Sequence, residues 1–121
     1  MDKTFLLVGS LAAFLGVALG AFGAHGLRGR LSPEMLAVFE TGVRYHMYHA
    51  LAVLLVGLIA ARLDGWLIHA AGWAFTTGIV LFSGSLYLLA VTGTTMWGAV
   101  TPLGGVAFLL GWACLIVAGL L

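Results

Sequence analysis

Charge is what this sequence has least of. Its 121 residues include five Lys or Arg and four Asp or Glu, 7% of the chain, where a soluble domain carries roughly 25%. A water-soluble fold so poor in charge could not cover its own surface. The net charge of +1 gives no hold on nucleic acid or on a strongly acidic partner. Cys114 is the single cysteine, so no internal disulfide can form and the redox compartment is not readable. After Asp64 the only ionisable side chains of physiological interest are His69 and Tyr87. The second half of the chain therefore cannot supply a charged relay or an ion path, which speaks against a small transporter. There is no nucleophile–base arrangement, no phosphate-binding glycine loop and no pair of inward carboxylates, and no enzymatic activity is expected.

What the chain does have is apolar length. It is 63% hydrophobic with a mean hydropathy of +1.17, and a bilayer is the solvent that fits. A membrane-spanning helix needs about 20 apolar residues, and four stretches qualify. The expected fold is all-α, an integral membrane four-helix bundle in one transmembrane domain over residues 1–121, with helices at about 4–24, 32–61, 66–91 and 101–121. The breaks hold His25, Gly26, Arg28, Gly29 and Arg30, then Arg62, Asp64 and Gly65, then an uncharged turn at residues 92–95. Asp2 cancels the charge of Lys3, so the first stretch reads as a helix rather than a signal peptide.

Ser32, Pro33 and Glu34 write a helix start: a side-chain acceptor, a proline at the first helical position and a carboxylate at the positive dipole end. Thr101 and Pro102 repeat the pattern for the fourth helix. The second helix would be roughly 43 Å long at 1.5 Å per residue, against a hydrocarbon core of about 30 Å. Its first three turns, with Glu34, Glu40 and Arg44, are expected in the headgroup layer, or the helix bends at Gly42. Four spans put both termini on one side. Arg28, Arg30 and Arg44 against Lys3 and Arg62 favour a cytoplasmic first loop.

Helix contact in lipid depends on close packing through small residues, and the chain has 18 glycines. In the first helix, Ala12, Gly16, Gly20 and Ala24 form a four-residue stripe, while Gly9, Ala13, Gly16, Gly20 and Gly23 follow the four-three spacing of a left-handed seam. The fourth helix carries a heptad seam of Gly104, Ala107, Gly111, Cys114 and Ala118, in which Cys114 is a packing residue. Gly78, Ser83, Gly84 and Ser85 serve the third helix similarly. Trp66, Trp97 and Tyr87 suit the membrane–water boundary, and His69 reads as an anchor there. These seams exceed what four helices need among themselves. They point to an accessory subunit of a larger membrane complex or to a homo-oligomer, with the lipid bilayer as the constant partner.

Ionisable groups at a membrane are costly, so they are candidate functional groups. They gather between His25 and His49. His46 and His49 lie one turn apart and share a helix side with Gly42 and Val53. Glu40 and Arg44 form an i, i+4 pair on the opposite side, expected as an ion pair, and Tyr45 and Tyr48 flank the two faces. A short first loop should return His25 close to His46 and His49. Anchoring by bonds to carbonyls and waters is the plain reading of this polar patch. The competing one is a metal site of His25, His46 and His49, with Glu34 or Glu40 as a fourth ligand. A third is haem, ligated by His25 and one of the other two; quinone, lipid-headgroup and proton-linked roles stay open.

Four strings carry a resemblance: GAFGAHGL at residues 20–27, FETGVRYHMYHALAVL at 39–54, LFSGSLYLLAVTG at 81–93 and TPLGGVAFLLGW at 101–112. Together, and in this order, they resemble the family known as domain of unknown function 423. Those are small four-span bacterial membrane proteins with a mitochondrial relative in animals. The resemblance implies four helices in a bacterial cytoplasmic membrane. It implies no catalytic role, and its motif histidines correspond to His25, His46 and His49.

Overall fold

Among the described residues, four helices are long and apolar enough to cross a membrane: α1 (Lys3–His25), α2 (Pro33–Ile59), α3 (Trp66–Thr92) and α4 (Trp97–Leu120). The computed structural model describes residues 2–63 and 65–121; Met1 and Asp64, the latter expected in the turn after α2, lie outside the described residues.

The ends of these helices follow from local bonds. Asp2 Oδ1 accepts from the Thr4 N–H at 2.9 Å and caps α1. Ser32 Oγ accepts from the Met35 N–H at 3.1 Å, and Pro33 opens α2 with Glu34 in the first turn. Such a cap supplies one of the acceptors that the first helical N–H groups lack. α2 runs as one unbroken helix through Gly42. α3 stops at Gly93, whose φ of 70° is left-handed and closes the helix on Leu89 O.

Thr101 and Pro102 do not start the fourth helix, as their sequence pattern suggested. α4 begins at Trp97. The turn before it supplies the missing bonds: Trp97, Gly98 and Ala99 donate to the carbonyls of Thr94, Thr95 and Met96. With those bonds made, the helix needs no side-chain cap. Pro102 falls early enough in α4 to forfeit one backbone bond without breaking it.

α1 and α2 zip together antiparallel along the four-three seam. A Cβ on Gly9 would meet Leu54, on Gly16 Met47, on Gly20 Val43 and on Gly23 Phe39. α3 and α4 use a different lock, phenylalanine against glycine. Phe108 fills the space at Gly78, Phe75 that at Gly111, and the backbone of Phe82 that at Gly104. Both seams therefore face inward, which removes the surplus of small residues that the sequence alone suggested. Gly84, expected to pack, faces open space. Between the hairpins lies a core of Phe5, Val53, Val56, Ile68, Ala71 and Phe75. A smaller cluster of Leu27, Phe39 and Ala90 closes the first-loop end.

At the opposite end Asp2 ties three helices. Its N–H donates to Gly57 O at 3.0 Å, and its Oδ2 lies 3.2 Å from His69 Nε2. His69 Nδ1 faces Gly65 O at 3.0 Å. His69 is a tie between helices, beyond the anchoring role its sequence position suggested.

Gly104→Ala should destabilise the protein by about 1–3 kcal/mol, since the added methyl meets backbone rather than a movable ring. Gly111→Ala, against the Phe75 ring, should cost less, and Leu110→Ala on the lipid-facing side least. Thermal unfolding of the three variants in one detergent checks the order.

Candidate functional site

The interior polar groups lie where α2 meets the other three helices. His46 is buried between α1 and α3. Its Nε2 lies 2.7 Å from Ala12 O, and its Nδ1 lies 2.8 Å from the hydroxyl of Tyr87. A carbonyl only accepts, so Nε2 carries the proton and Nδ1 accepts from Tyr87. His49, one turn on, turns to α4. Its Nδ1 donates to Tyr45 O at 2.9 Å, and Trp112 Nε1 donates to its Nε2 at 3.1 Å. The imidazole also stacks on Phe108, with centroids 3.6 Å apart and planes 9° apart. The partners of these two histidines define opposite neutral tautomers.

α3 reaches these groups through a wide turn. At Ile79–Ser83 the helix is of the π type, and the Gly84 N–H reaches back to Ile79 O. Its last residue, the buried Ser83, donates to Gly42 O across the interface at 2.7 Å. Ser85 donates to Phe82 O at 2.9 Å and shares a 2.6 Å hydroxyl bond with Thr101 on α4. Among the described residues, no buried side-chain nitrogen or oxygen lacks a partner. π turns recur at functional sites, and this one borders a crevice of about 390 Å³ between α1 and α3. Leu11 and Leu15 form one wall, Val80 and Gly84 the other, and His46 and Tyr87 the polar floor. Val8 and Thr76 also line it.

The structure does not bring His25 to the other histidines. It is exposed at the end of α1, about 20 Å further along that helix than Ala12, which His46 touches. Among the described residues, no group of three His, Cys, Asp or Glu could hold a metal ion. The ring nitrogens of His46 and His49 are taken by protein partners, so neither offers a free lone pair to zinc or haem iron. Glu34, Glu40 and Arg44 are exposed, and no Glu40–Arg44 ion pair forms among the described residues. Arg44 has room to reach toward the headgroups along the helix surface. Tyr45 and Tyr48 point outward, edge to face with centroids 5.7 Å apart, and Tyr45 also packs on Phe82 at 5.0 Å.

Three interior hydrogen-bond partners were missed in the sequence, Tyr87, Thr101 and Trp112, while Ser83 does make a cross-helix bond of the kind open to a serine in a span. Tyr87 reads there as a boundary residue, and nothing local marks a tyrosine 41 positions from its histidine. A signal was present in the polarity of α3, since a buried serine in a span must bond somewhere.

Tyr87→Phe leaves His46 Nδ1 without its donor and should destabilise by about 0.6 kcal/mol, the average for hydrogen bonds inside a bilayer, and by no more than about 1.7 kcal/mol. Adding His46→Phe should then cost less than it does alone, because the unpaired nitrogen goes with it. A double-mutant cycle on reversible unfolding in mixed micelles reads the coupling.

Comparison with known proteins places this arrangement in a family. The family model described as protein of unknown function (DUF423) matches residues 19–105, which hold His25, His46, His49, the π turn and Tyr87. The UPF0382 membrane protein YwdK of Bacillus subtilis is 52% identical over 117 residues, spanning 96% of this chain and 95% of its own. A UPF0382 membrane protein of Staphylococcus epidermidis is 47% identical over 98% of this chain and 96% of its own. One of Staphylococcus aureus is 46% identical over 96% and 94%. No solved structure gives a significant match. Four bilayer-length helices and relatives named as membrane proteins along nearly the whole chain agree: this multi-pass membrane protein belongs to the DUF423 family.

Proposed function

We propose that the protein is a non-enzymatic membrane component, an accessory or self-associating subunit that works through lateral contact in the bilayer. The observation that carries this reading is the closure of the interior polar groups onto one another. A general base needs a lone pair within reach of a substrate proton, and a metal ligand needs one aimed at the ion. His46 and His49 have theirs engaged. The carboxylates of Glu34 and Glu40 lie exposed on the first turns of α2, away from both imidazoles, and Asp2 is occupied as a cap and a tie. No charged side chain lines the crevice, which counts against ion transport.

Support for lateral contact comes from the outer face of α1. Ser10, Ala13, Phe14, Val17 and Ala18 border a shallow groove of about 430 Å³ there. Small residues on a span let a second helix approach closely, and Ser10 and Ala18 stand exposed in this groove.

The test is association in lipid. Chains carrying Thr94→Cys, in the exposed turn between α3 and α4, and Cys114→Ala, labelled with donor or acceptor dyes, are mixed in phosphatidylethanolamine–phosphatidylglycerol vesicles. Energy transfer should stay above the random-proximity level as lipid is added, and Ala18→Trp, at an exposed position of the groove, should abolish the excess. Transfer that falls to the random level on dilution, with only monomers after cross-linking in the source membrane, would overturn the reading.

A further inference from the structure

We infer that the lateral partner is a second copy of this chain, docked on the outer side of the α1–α2 hairpin with Glu40 of each copy paired to Arg44 of the other. This rests on the lateral contact proposed above and names its partner.

The contacts inside the hairpin fix which residues share that outer side. The glycines of α1 meet Phe39, Val43, Met47 and Leu54 of α2. Each following residue turns about 100° around its helix. In an antiparallel pair of right-handed helices, that step carries both helices to the same side. Ser10 and Val17 follow Gly9 and Gly16 of α1, while Glu40, Arg44, Tyr48 and Leu55 follow the four contacts of α2. All six are exposed. The opposite step agrees: Leu15, one before Gly16, and His46, one before Met47, line the crevice toward α3. The groove that Ser10 and Val17 border and the exposed stripe of α2 therefore form one surface, turned away from α3.

That surface carries two charges of opposite sign, one turn apart. Among the described residues, neither Glu40 nor Arg44 has an ion-pair or hydrogen-bond partner. Val43 sits beside Gly20, so Arg44 stands roughly 8 Å inside the end of α1 at His25. An unpaired cation is costly at such a depth. An anionic headgroup would satisfy Arg44 and be repelled by Glu40, and a basic partner would do the reverse. A second copy satisfies both.

A twofold contact requires that one residue meet another as the other meets it. Two copies inserted the same way share an axis along the membrane normal. With that axis beside α2, the two α2 helices meet at equal levels and the α1 grooves flank them. Helical side chains lean toward the N-terminus, so the long side chain of Arg44 rises toward the level of Glu40 on the other copy. Symmetry makes the pair twice. Further along α2, the exposed Tyr48, Leu51 and Leu55 continue the contact into the hydrocarbon.

The test uses full-length chains in the same vesicles, labelled at Thr94→Cys with Cys114→Ala. Glu40→Arg alone, or Arg44→Glu alone, sets like charges against each other, and energy transfer within either variant should fall to the random-proximity level. Donor-labelled Glu40→Arg chains mixed with acceptor-labelled Arg44→Glu chains should recover the transfer of unsubstituted chains. A charge pair within one helix, or a bound headgroup, gives no such recovery on mixing. In a second measurement that leaves both charges in place, Leu51→Cys with Cys114→Ala should cross-link between copies in oxidised membranes well above Leu109→Cys on the lipid-facing side of α4. Single variants that associate as unsubstituted chains do, or mixtures no better than either variant alone, overturn the charge pairing. Equal cross-linking at the two cysteine positions overturns the α2 face. Those results leave the groove of α1 standing, which Ala18→Trp tests by itself. Unsubstituted chains at the random level would instead overturn lateral contact, and this pairing with it.

Discussion

Inside a bilayer there is no water to bond with, so each polar group must find its partner in the protein. The architecture of this chain depends on that constraint. Apolar helix faces pack against lipid tails about as readily as against each other, so burial alone cannot choose a rotation for each helix. The polar pairs can. His46 sets α2 against Ala12 of α1 and Tyr87 of α3. Ser83 fixes α3 on the carbonyl of Gly42. His49 and Trp112 orient α4 on α2, and Ser85 with Thr101 orients it on α3. Such bonds average about 0.6 kcal/mol each in a membrane. They contribute modestly to stability and strongly to which arrangement is adopted.

Close approach supplies the rest. Glycines of α1 accept leucine, methionine, valine and phenylalanine of α2, while those of α3 and α4 take the rings or backbone of Phe108, Phe75 and Phe82. Each ring that fills a glycine notch gains dispersion contacts that a lipid chain, mobile and loosely packed, supplies less well. The two hairpins are therefore each locked by shape, and the polar pairs around α2 join one hairpin to the other.

Much of this was legible in the sequence. Polar breaks divide the apolar stretches cleanly, and Ser32 with Pro33 announces the start of α2 because a cap is a local device. The small residues of α1 are readable because helical periodicity is local too, but spacing alone left the four-residue stripe and the four-three seam both open. What failed was distance. Placing His25 beside His46 and His49 treated the overhang of α2 as if it could bring its histidines down to the end of α1, but a helix rises 1.5 Å at each residue whatever surrounds it. His46 thus stands about 20 Å above Pro33. The i, i+3 spacing of the two histidines leaves them roughly 60° apart around the axis, wide enough for one to face α1 and α3 and the other α4. Their partners lie 41 and 63 residues away in the chain, separations at which no local pattern speaks. The start of α4 was misplaced for the opposite reason: a strong local signal at Thr101 and Pro102 gave way to backbone bonds in the preceding turn.

The π turn of α3 has a bearing on how the chain can vary in length. In an ordinary spanning helix, one inserted residue turns everything beyond it by roughly 100° and sends each side chain to a new neighbour. A wide turn absorbs that residue instead. Below it Gly72 and Phe75 keep their fit against Phe5 and Gly111; above it Tyr87 keeps its bond to His46 of α2 and Ser85 its bond to Thr101 of α4. Ile79–Ser83 is thus the stretch of α3 where a residue can be gained or lost without breaking the phase of either half, and a span closed at this point into regular α-helix would be one residue shorter with the same contacts on both sides.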